Sequence, residues 1–77
     1  MRSPKTRSLV TRFPAVLREA RTEKGFSQEE LADRAGLHRT YISQIERGMK
    51  SPSLRSLEQI TDALEMPLWV LMKRLEA

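Results

Sequence analysis

The chain has 77 residues, enough for one domain with a small core, since a chain of this length buries only about 60% of its unfolded surface. Cysteine is absent and histidine occurs once, which excludes disulfides, thiolate metal sites and histidine clusters, so no metal and no cofactor is expected. No apolar run approaches the roughly 20 residues that span a bilayer, and no apolar signal-peptide core follows the first residues. We therefore expect a cytoplasmic protein that does not enter a membrane.

The charge is positive and unevenly placed. The net charge is +4, and the first 50 residues hold 11 Lys/Arg against 6 Asp/Glu, whereas residues 51–77 hold 3 against 4. A basic N-terminal part and a near-neutral C-terminal part are typical of a domain that binds a polyanion with one of its surfaces. The alternative is a solvated basic surface with no such partner.

Residues 1–10 are predicted to form a flexible basic arm ahead of a domain over residues 11–77. The arm carries Arg2, Lys5 and Arg7 and no acidic residue. Such an arm could lie along phosphates or enter a minor groove, and the alternative is a frayed terminus without a role.

Apolar spacing in the domain predicts a compact all-α bundle of five short helices and no strand. The first helix is expected over about 11–24, with Pro14 in its first turn, where a missing N–H costs nothing. The second begins after Ser27, which with Glu30 forms a capping box. The others are expected over about 39–47, after Ser53, and over about 68–76.

The second and third helices are predicted to pack closely around a tight turn. Ala32 is small where the two helices would touch, and Gly36 occupies the turn, where a left-handed backbone is needed. Ile42 and Ile45 are expected to anchor the third helix in the core. An outward polar stripe then remains on the third helix, formed by His38, Arg39, Thr40, Ser43, Gln44 and Arg47.

The chemistry of this stripe suits base edges in the major groove of double-stranded DNA. Arg39 can make a bidentate pair with guanine and Gln44 with adenine, while Thr40 and Ser43 are short enough to let the helix sit deep. No acidic residue occurs between Asp33 and Glu46, as a face approaching phosphates requires. The predicted base-reading residues are Arg39, Thr40, Ser43 and Gln44.

Three segments resemble the helix-turn-helix of the lambda-repressor-like, or Cro/cI (XRE), family: SQEELA from Ser27, AGL from Ala35 and YISQIERG from Tyr41. The resemblance continues into the last two helices and covers about residues 12–75. It implies a lambda-repressor-like fold with the helix-turn-helix as helices 2 and 3. The small size resembles stand-alone members such as the controller proteins of restriction–modification systems.

The resemblance also implies site residues. In this family the residue that opens the second helix contacts phosphate, and here that residue is Gln28. His38 departs from the pattern, because Ser or Thr often caps the third helix, and histidine caps less well. It could instead touch DNA and make binding sensitive to pH, or be an exposed, ordinary cap.

Further residues are candidates for phosphate contact, namely Ser27, Tyr41, Arg47 and Lys50. Arg47 and Lys50 could equally be solvated cations near a helix end. Tyr41 is expected to pack its ring and to turn its hydroxyl toward the DNA backbone. Glu46 would repel phosphate, so it is expected to pair with an arginine of the first helix, such as Arg18, in a structural role.

The last helix is apolar on nearly all sides, which predicts a homodimer. Leu68, Leu71 and Leu75 can close the core, whereas Trp69 and Met72 are left over on another face. The predicted interface is Trp69, Met72 and Leu75, with Trp69 as the anchor. The alternative is that Trp69 folds over the core of its own chain.

The sequence therefore favours a DNA-binding transcriptional regulator that acts as a dimer on a pseudo-palindromic operator, by occluding a promoter or by contacting RNA polymerase. The alternative is a protein-interaction module of the antitoxin type with incidental DNA affinity. An enzymatic function has no support in the sequence, because His38 has no catalytic partner at a useful spacing and no small-molecule site is evident. RNA binding would need more exposed aromatic residues.

Overall fold

The computed structural model describes the backbone of residues 4–76 and the side chains of residues 9–76. Five helices and no strand occur in this part of the chain, as the sequence predicts. The helices are α1 (Pro4–Glu23), α2 (Gln28–Ala35), α3 (Arg39–Glu46), α4 (Leu54–Ala63) and α5 (Leu68–Glu76).

The first helix begins earlier than predicted. Residues 4–10 belong to α1, so the predicted flexible arm is wrong for this stretch, and residues 1–3 lie outside the described residues. Pro4 suits a first helical position, and Leu9 packs against the core, which favours helix ahead of Thr11. Pro14 consequently lies inside α1 rather than in its first turn.

Local signals at the helix ends are largely as predicted. The Ser27 hydroxyl accepts a hydrogen bond from the Glu30 N–H at 2.9 Å, which caps α2. The Glu30 carboxylate lies 3.4 Å from Arg34 instead of completing a capping box. Ser53 caps α4 in the same way as Ser27 caps α2, by accepting from the Ser56 N–H at 3.0 Å.

The core draws apolar side chains from all five helices. α1 packs against α3 and α5, and α2 packs against α3 and α4. The fully buried large side chains are Leu17, Leu31, Ile42, Ile45, Ile60, Leu64 and Leu71. None of the helices described is both long and apolar enough to cross a lipid bilayer.

Gly36 makes the turn between α2 and α3. Its φ of 71° is left-handed, and its N–H bonds to the Asp33 carbonyl at 3.3 Å. The following Leu37 N–H bonds to the Ala32 carbonyl at 2.9 Å, which closes the carboxyl end of α2. This turn sets the angle at which α3 leaves α2.

Replacing Gly36 with alanine should lower the free energy of unfolding by about 1 kcal/mol, because a β-carbon disfavours the left-handed backbone. The added carbon would lie 3.6 Å from Nε2 of Gln59, an ordinary contact, so steric collision adds little. Gly36→Asn is the control and should cost less, because asparagine tolerates this conformation. Urea unfolding of the two variants measures the difference, and equal losses would contradict the backbone explanation.

Candidate nucleic-acid interface

The outer side of α3 carries the predicted reading residues at the surface. Arg39 and Thr40 are exposed, and Ser43 and Gln44 are half-buried. The opposite side of the helix is buried through Ile42, Ile45 and Glu46. The helix is thus fixed by its inner side, and its polar side faces outward as one stripe.

His38 stands at the N-cap of α3 but makes no side-chain hydrogen bond there. Its carbonyl accepts from the N–H groups of Tyr41 and Ile42 at 3.0 and 3.3 Å. Its exposed side chain agrees with the expectation that histidine caps poorly. The amino end of α3 therefore reaches the surface without a side-chain cap beside Arg39 and Thr40.

A buried carboxylate, that of Glu46, joins three helices behind the reading stripe. Arg21 of α1 donates to it twice, from Nε to Oε2 at 2.6 Å and from Nη2 to Oε1 at 3.0 Å. Gln28 of α2 donates from Nε2 to Oε1 at 3.0 Å. The Glu46 side chain is 0% exposed, and Arg18 Nε lies 3.7 Å from Oε1. Glu46 at the end of α3 is therefore tied to both α1 and α2.

The pairing of Glu46 with an arginine of the first helix is confirmed, but the main partner is Arg21 rather than Arg18. Arg21 also donates from Nη1 to the Phe26 carbonyl at 2.8 Å, which fixes the turn before α2. The two arginines are three residues apart on one helix, so they share a side of α1. Sequence spacing could have suggested either.

The pKa of Glu46 is lowered overall. Burial raises it and is the largest influence, but the hydrogen bonds from Arg21 and Gln28, with the charges of Arg21 and Arg18, outweigh burial. The group is thus a carboxylate at neutral pH and acts only as a hydrogen-bond acceptor. This negative charge is buried and paired, so it does not oppose an anion on the outer side of α3.

The predicted phosphate contacts include residues at the amino end of α2 and residues that follow α3. Ser27 is exposed and Gln28 half-buried at the amino end of α2, while Arg47 and Lys50 are exposed beyond α3. The Gln28 side chain is engaged with Glu46, a contact that no sequence signal indicated. These donors precede and follow α3 along the chain.

Tyr41 differs from the expectation for its hydroxyl. The ring is half-buried as expected, but the hydroxyl accepts from the Ser53 N–H at 3.3 Å and so holds the loop between α3 and α4. A hydrogen bond with Ser56 is the largest influence on the pKa of Tyr41, which is lowered. The Lys50 ammonium lies 6.0 Å from the ring centroid.

The predicted dimer residues separate in the structure. Trp69 is 66% exposed, whereas Leu75 is 4% exposed and belongs to the core, so Leu75 offers little surface to a second copy. Met72 is half-buried against that core. Met72 and Leu75 line a groove of 240 Å³ beside α1, away from the second, larger groove.

The larger groove, of 560 Å³, runs beside α4 and the start of α5. Its apolar rim includes two leucines, Leu54 and Leu68, which are 76% and 37% exposed. Charged residues of both signs line it, namely Arg55, Glu58 and Asp62. Trp69, which directly follows Leu68 in α5, is 66% exposed but does not line this groove.

Comparison with known proteins gives consistent relatives. A family model described as helix-turn-helix matches residues 17–68. Control protein C.BamHI of Bacillus amyloliquefaciens is 45% identical over 60 residues, which cover 77% of this chain and 74% of that protein. The chain spans much less of other relatives: 30% of an HTH-type transcriptional regulator of Sinorhizobium fredii and 51% of SinR of Bacillus subtilis.

Solved structures agree with these relatives. The restriction–modification controller protein C.AhdI of Aeromonas hydrophila superposes with a TM-score of 0.77 at 40% identity, over 80% of this chain and 94% of that one. The controller protein C.Esp1396I, in a tetramer bound to its natural 35 base-pair operator, gives a TM-score of 0.81 at 40% identity, over 87% and 88%.

Acid should weaken the Glu46 cluster in a defined direction. Because the pKa of Glu46 is lower in the folded chain, its contribution is complete above the unfolded value near 4.5 and is lost as the pH falls through the folded value. Glu46→Gln should lower the free energy of unfolding by about 3 kcal/mol at neutral pH, because it removes one partner of a buried pair. The difference from the unchanged chain should shrink below pH 4.5.

Urea unfolding across this pH range measures the effect. Glu58→Gln is the control, since Glu58 is exposed and outside the cluster, and it should change the free energy of unfolding by less than about 0.5 kcal/mol. A difference for Glu46→Gln that stayed constant with pH would contradict the assignment.

Proposed function

We propose, since the chain belongs to the helix-turn-helix family of transcriptional regulators, that it binds a pseudo-palindromic operator in double-stranded DNA as a dimer. The observation that carries this proposal is the outward polar stripe of α3, held from behind by buried Ile42, Ile45 and Glu46. A helix fixed in this way can enter the major groove without first being ordered. The protein acts by binding alone, with no catalytic step.

In the proposed complex the front of α3 reads bases. Arg39 is exposed and long enough for the paired acceptors of guanine, and Gln44 suits adenine. Thr40 and Ser43 lie between them and allow close approach. Contacts to phosphate come from Ser27, Gln28, His38, Tyr41, Arg47 and Lys50.

Tyr41 contributes to these proposed phosphate contacts through the O–H of its phenol. Its oxygen already accepts a hydrogen bond from Ser53, but the phenolic proton can still be given to a phosphate oxygen. This arrangement would join the α3–α4 loop, which also holds exposed Lys50, to the DNA backbone.

The proposed dimer interface is the end of the fold that holds Trp69, Leu54 and Leu68. These apolar side chains are exposed, and a small domain gains by burying them against a second copy. The mixed charges of Arg55 and Asp62 at the groove suit a self-complementary contact across a two-fold axis. The operator-bound tetramer of C.Esp1396I supports assembly of several copies on DNA.

A dimer sets the form of the operator. Two α3 helices related by a two-fold axis would enter successive major grooves about 34 Å apart, so the two half-sites should be inverted repeats. Bound in the cytoplasm to the nucleoid, such a dimer would regulate by occluding a promoter or by contacting RNA polymerase. The same groove, with its exposed Leu54 and Leu68, also suits the alternative, a protein-interaction module with incidental DNA affinity.

Selection of bound sites from random duplex DNA tests the main proposal. An inverted-repeat consensus is expected, whereas an interaction module would enrich no sequence and would bind DNA only weakly, with dissociation constants of order 10⁻⁴–10⁻⁶ M at physiological salt.

Arg39→Ala should cost about 1–3 kcal/mol on the selected site and relax the preference at one base pair, because a bidentate base contact is lost. Lys50→Ala is the matched variant: it should weaken binding to all sequences alike and reduce the salt dependence by about one phosphate contact. Titrations at several salt concentrations on selected and scrambled duplexes separate the two effects. Unchanged binding of Arg39→Ala to the selected site would overturn its reading role.

Trp69→Ala should weaken the dimer by at least about 2 kcal/mol, roughly 30-fold, if Trp69 anchors the interface. Val10→Ala is the control, because Val10 is 63% exposed on α1 and lines the smaller groove rather than the one beside α4, and it should leave the dimer intact. Sedimentation at micromolar concentration without DNA measures both. A chain that is monomeric under these conditions, or a Trp69→Ala variant that still dimerises like the unchanged chain, would contradict the proposed interface.

A further inference from the structure

Gln28 has a hydrogen-bonding role before any DNA arrives. Its side-chain nitrogen donates to Oε1 of Glu46 at 3.0 Å, although the two residues belong to different helices. Gln28 opens α2 and is half-buried, so its amide lies at the edge of the proposed interface. If this amide contacts a phosphate, its side chain is therefore already ordered by Glu46 before DNA binds.

A carboxylate decides which way the Gln28 amide turns. The amide has two N–H donors on nitrogen and an acceptor oxygen, and a carboxylate only accepts. Glu46 can thus bind only the nitrogen end, and it uses one of the two donors. The second N–H donor remains for a phosphate oxygen, which also only accepts.

Glu46 is itself held firmly enough to act in this way. Two hydrogen bonds from Arg21 fix both of its oxygens, and its side chain is fully buried. Its pKa is lowered, so it remains charged at neutral pH. The position of the Gln28 amide is consequently set by a rigid group on α3, the helix that carries the proposed base readers.

We propose that Glu46 is a positioning residue for DNA binding, which orders the Gln28 amide so that its free N–H donates to a phosphate while α3 lies in the groove. The proposal rests on the proposed function. It adds that the phosphate contact of α2 and the base contacts of α3 are kept in register through one buried carboxylate. Glu46 makes no contact with DNA itself.

The expected gain in DNA affinity comes from ordering the flexible Gln28 side chain before DNA binds. An immobilised side chain of this kind changes affinity by about three- to tenfold. Because Gln28 is neutral, its contact releases no counterion, so its loss should lower affinity without changing the salt slope.

The test is a double-mutant cycle with Glu46→Gln and Gln28→Ala on a mixed-sequence duplex of roughly three helical turns. Phosphate contacts do not require the operator, so this probe serves whatever sequence the protein prefers. Each variant is titrated at several salt concentrations, under conditions where its circular dichroism shows it folded. Glu23→Gln is the control, because it removes the exposed Glu23–Arg74 pair, whose atoms lie 2.9 Å apart, and should leave affinity unchanged.

We expect each single variant to bind about three- to tenfold more weakly with an unchanged salt slope, and the double variant to bind like Gln28→Ala alone. A purely structural Glu46 would instead add its full loss in the Gln28→Ala background, which would overturn the proposal. Absence of salt-dependent binding by the unchanged chain would overturn the proposed function, a separate outcome.

If Glu46→Gln does not fold, nuclear magnetic resonance of the unchanged chain decides. The Gln28 side-chain amide proton that is bonded to Glu46 should exchange slowly without DNA, and the other amide proton should shift on addition of the duplex. Rapid exchange of both protons before DNA is added, or no shift of either on its addition, would overturn the proposal.

Discussion

The buried carboxylate of Glu46 is the constraint on which the arrangement of α1, α2 and α3 depends. An unpaired charge in this position would cost several kcal/mol, so the fold is favoured only where donors meet it. Arg21 and Gln28 supply those donors from two other helices. Apolar packing of Ile42 and Ile45 would allow α3 small shifts and rotations, but fixed hydrogen-bond geometry does not. The hydrogen bonds of Glu46 with Arg21 and Gln28 therefore restrict the orientation of α3 more than apolar packing alone does.

The same pairing shapes the charge of the outer surface. Glu46 is the one acidic residue of α3, and its negative charge is buried against a cation. The exposed residues of that helix and the loop after it are neutral or basic, including Arg39, Arg47 and Lys50. A single interaction thus holds the helix in place and removes the charge that would oppose a polyanion.

Features encoded by neighbouring residues could be predicted from the sequence. The five helices, the caps at Ser27 and Ser53 and the turn at Gly36 all depend on spacings of a few residues. The early start of α1 at Pro4 depends instead on packing of Leu9 against the core, which no local pattern shows.

Side-chain partners were harder to predict for a related reason. Arg18 and Arg21 share a side of α1. The rotation of that helix about its axis decides which of the two arginines forms the close hydrogen bonds with Glu46, and it favours Arg21. The contact of Gln28 with Glu46 spans 18 residues, and either side chain could have faced solvent. The outward stripe of α3 followed from helical periodicity, whereas the network behind it followed from the packing of three helices.

The last helix shows how tertiary packing separates residues that a sequence groups together. Helical spacing groups Leu68, Leu71 and Leu75 as core residues, yet the core takes Leu71 and Leu75 and leaves Leu68 37% exposed next to exposed Trp69. A domain of this size buries little apolar surface, so its free energy of unfolding is small. Exposing Leu68 and Trp69 to water reduces that free energy further. If a second copy covers them, dimerisation and folding are linked, and stability rises with protein concentration. Under the proposed function, operator binding would draw on that linkage too, because DNA that engages two α3 helices at once also holds the two copies together.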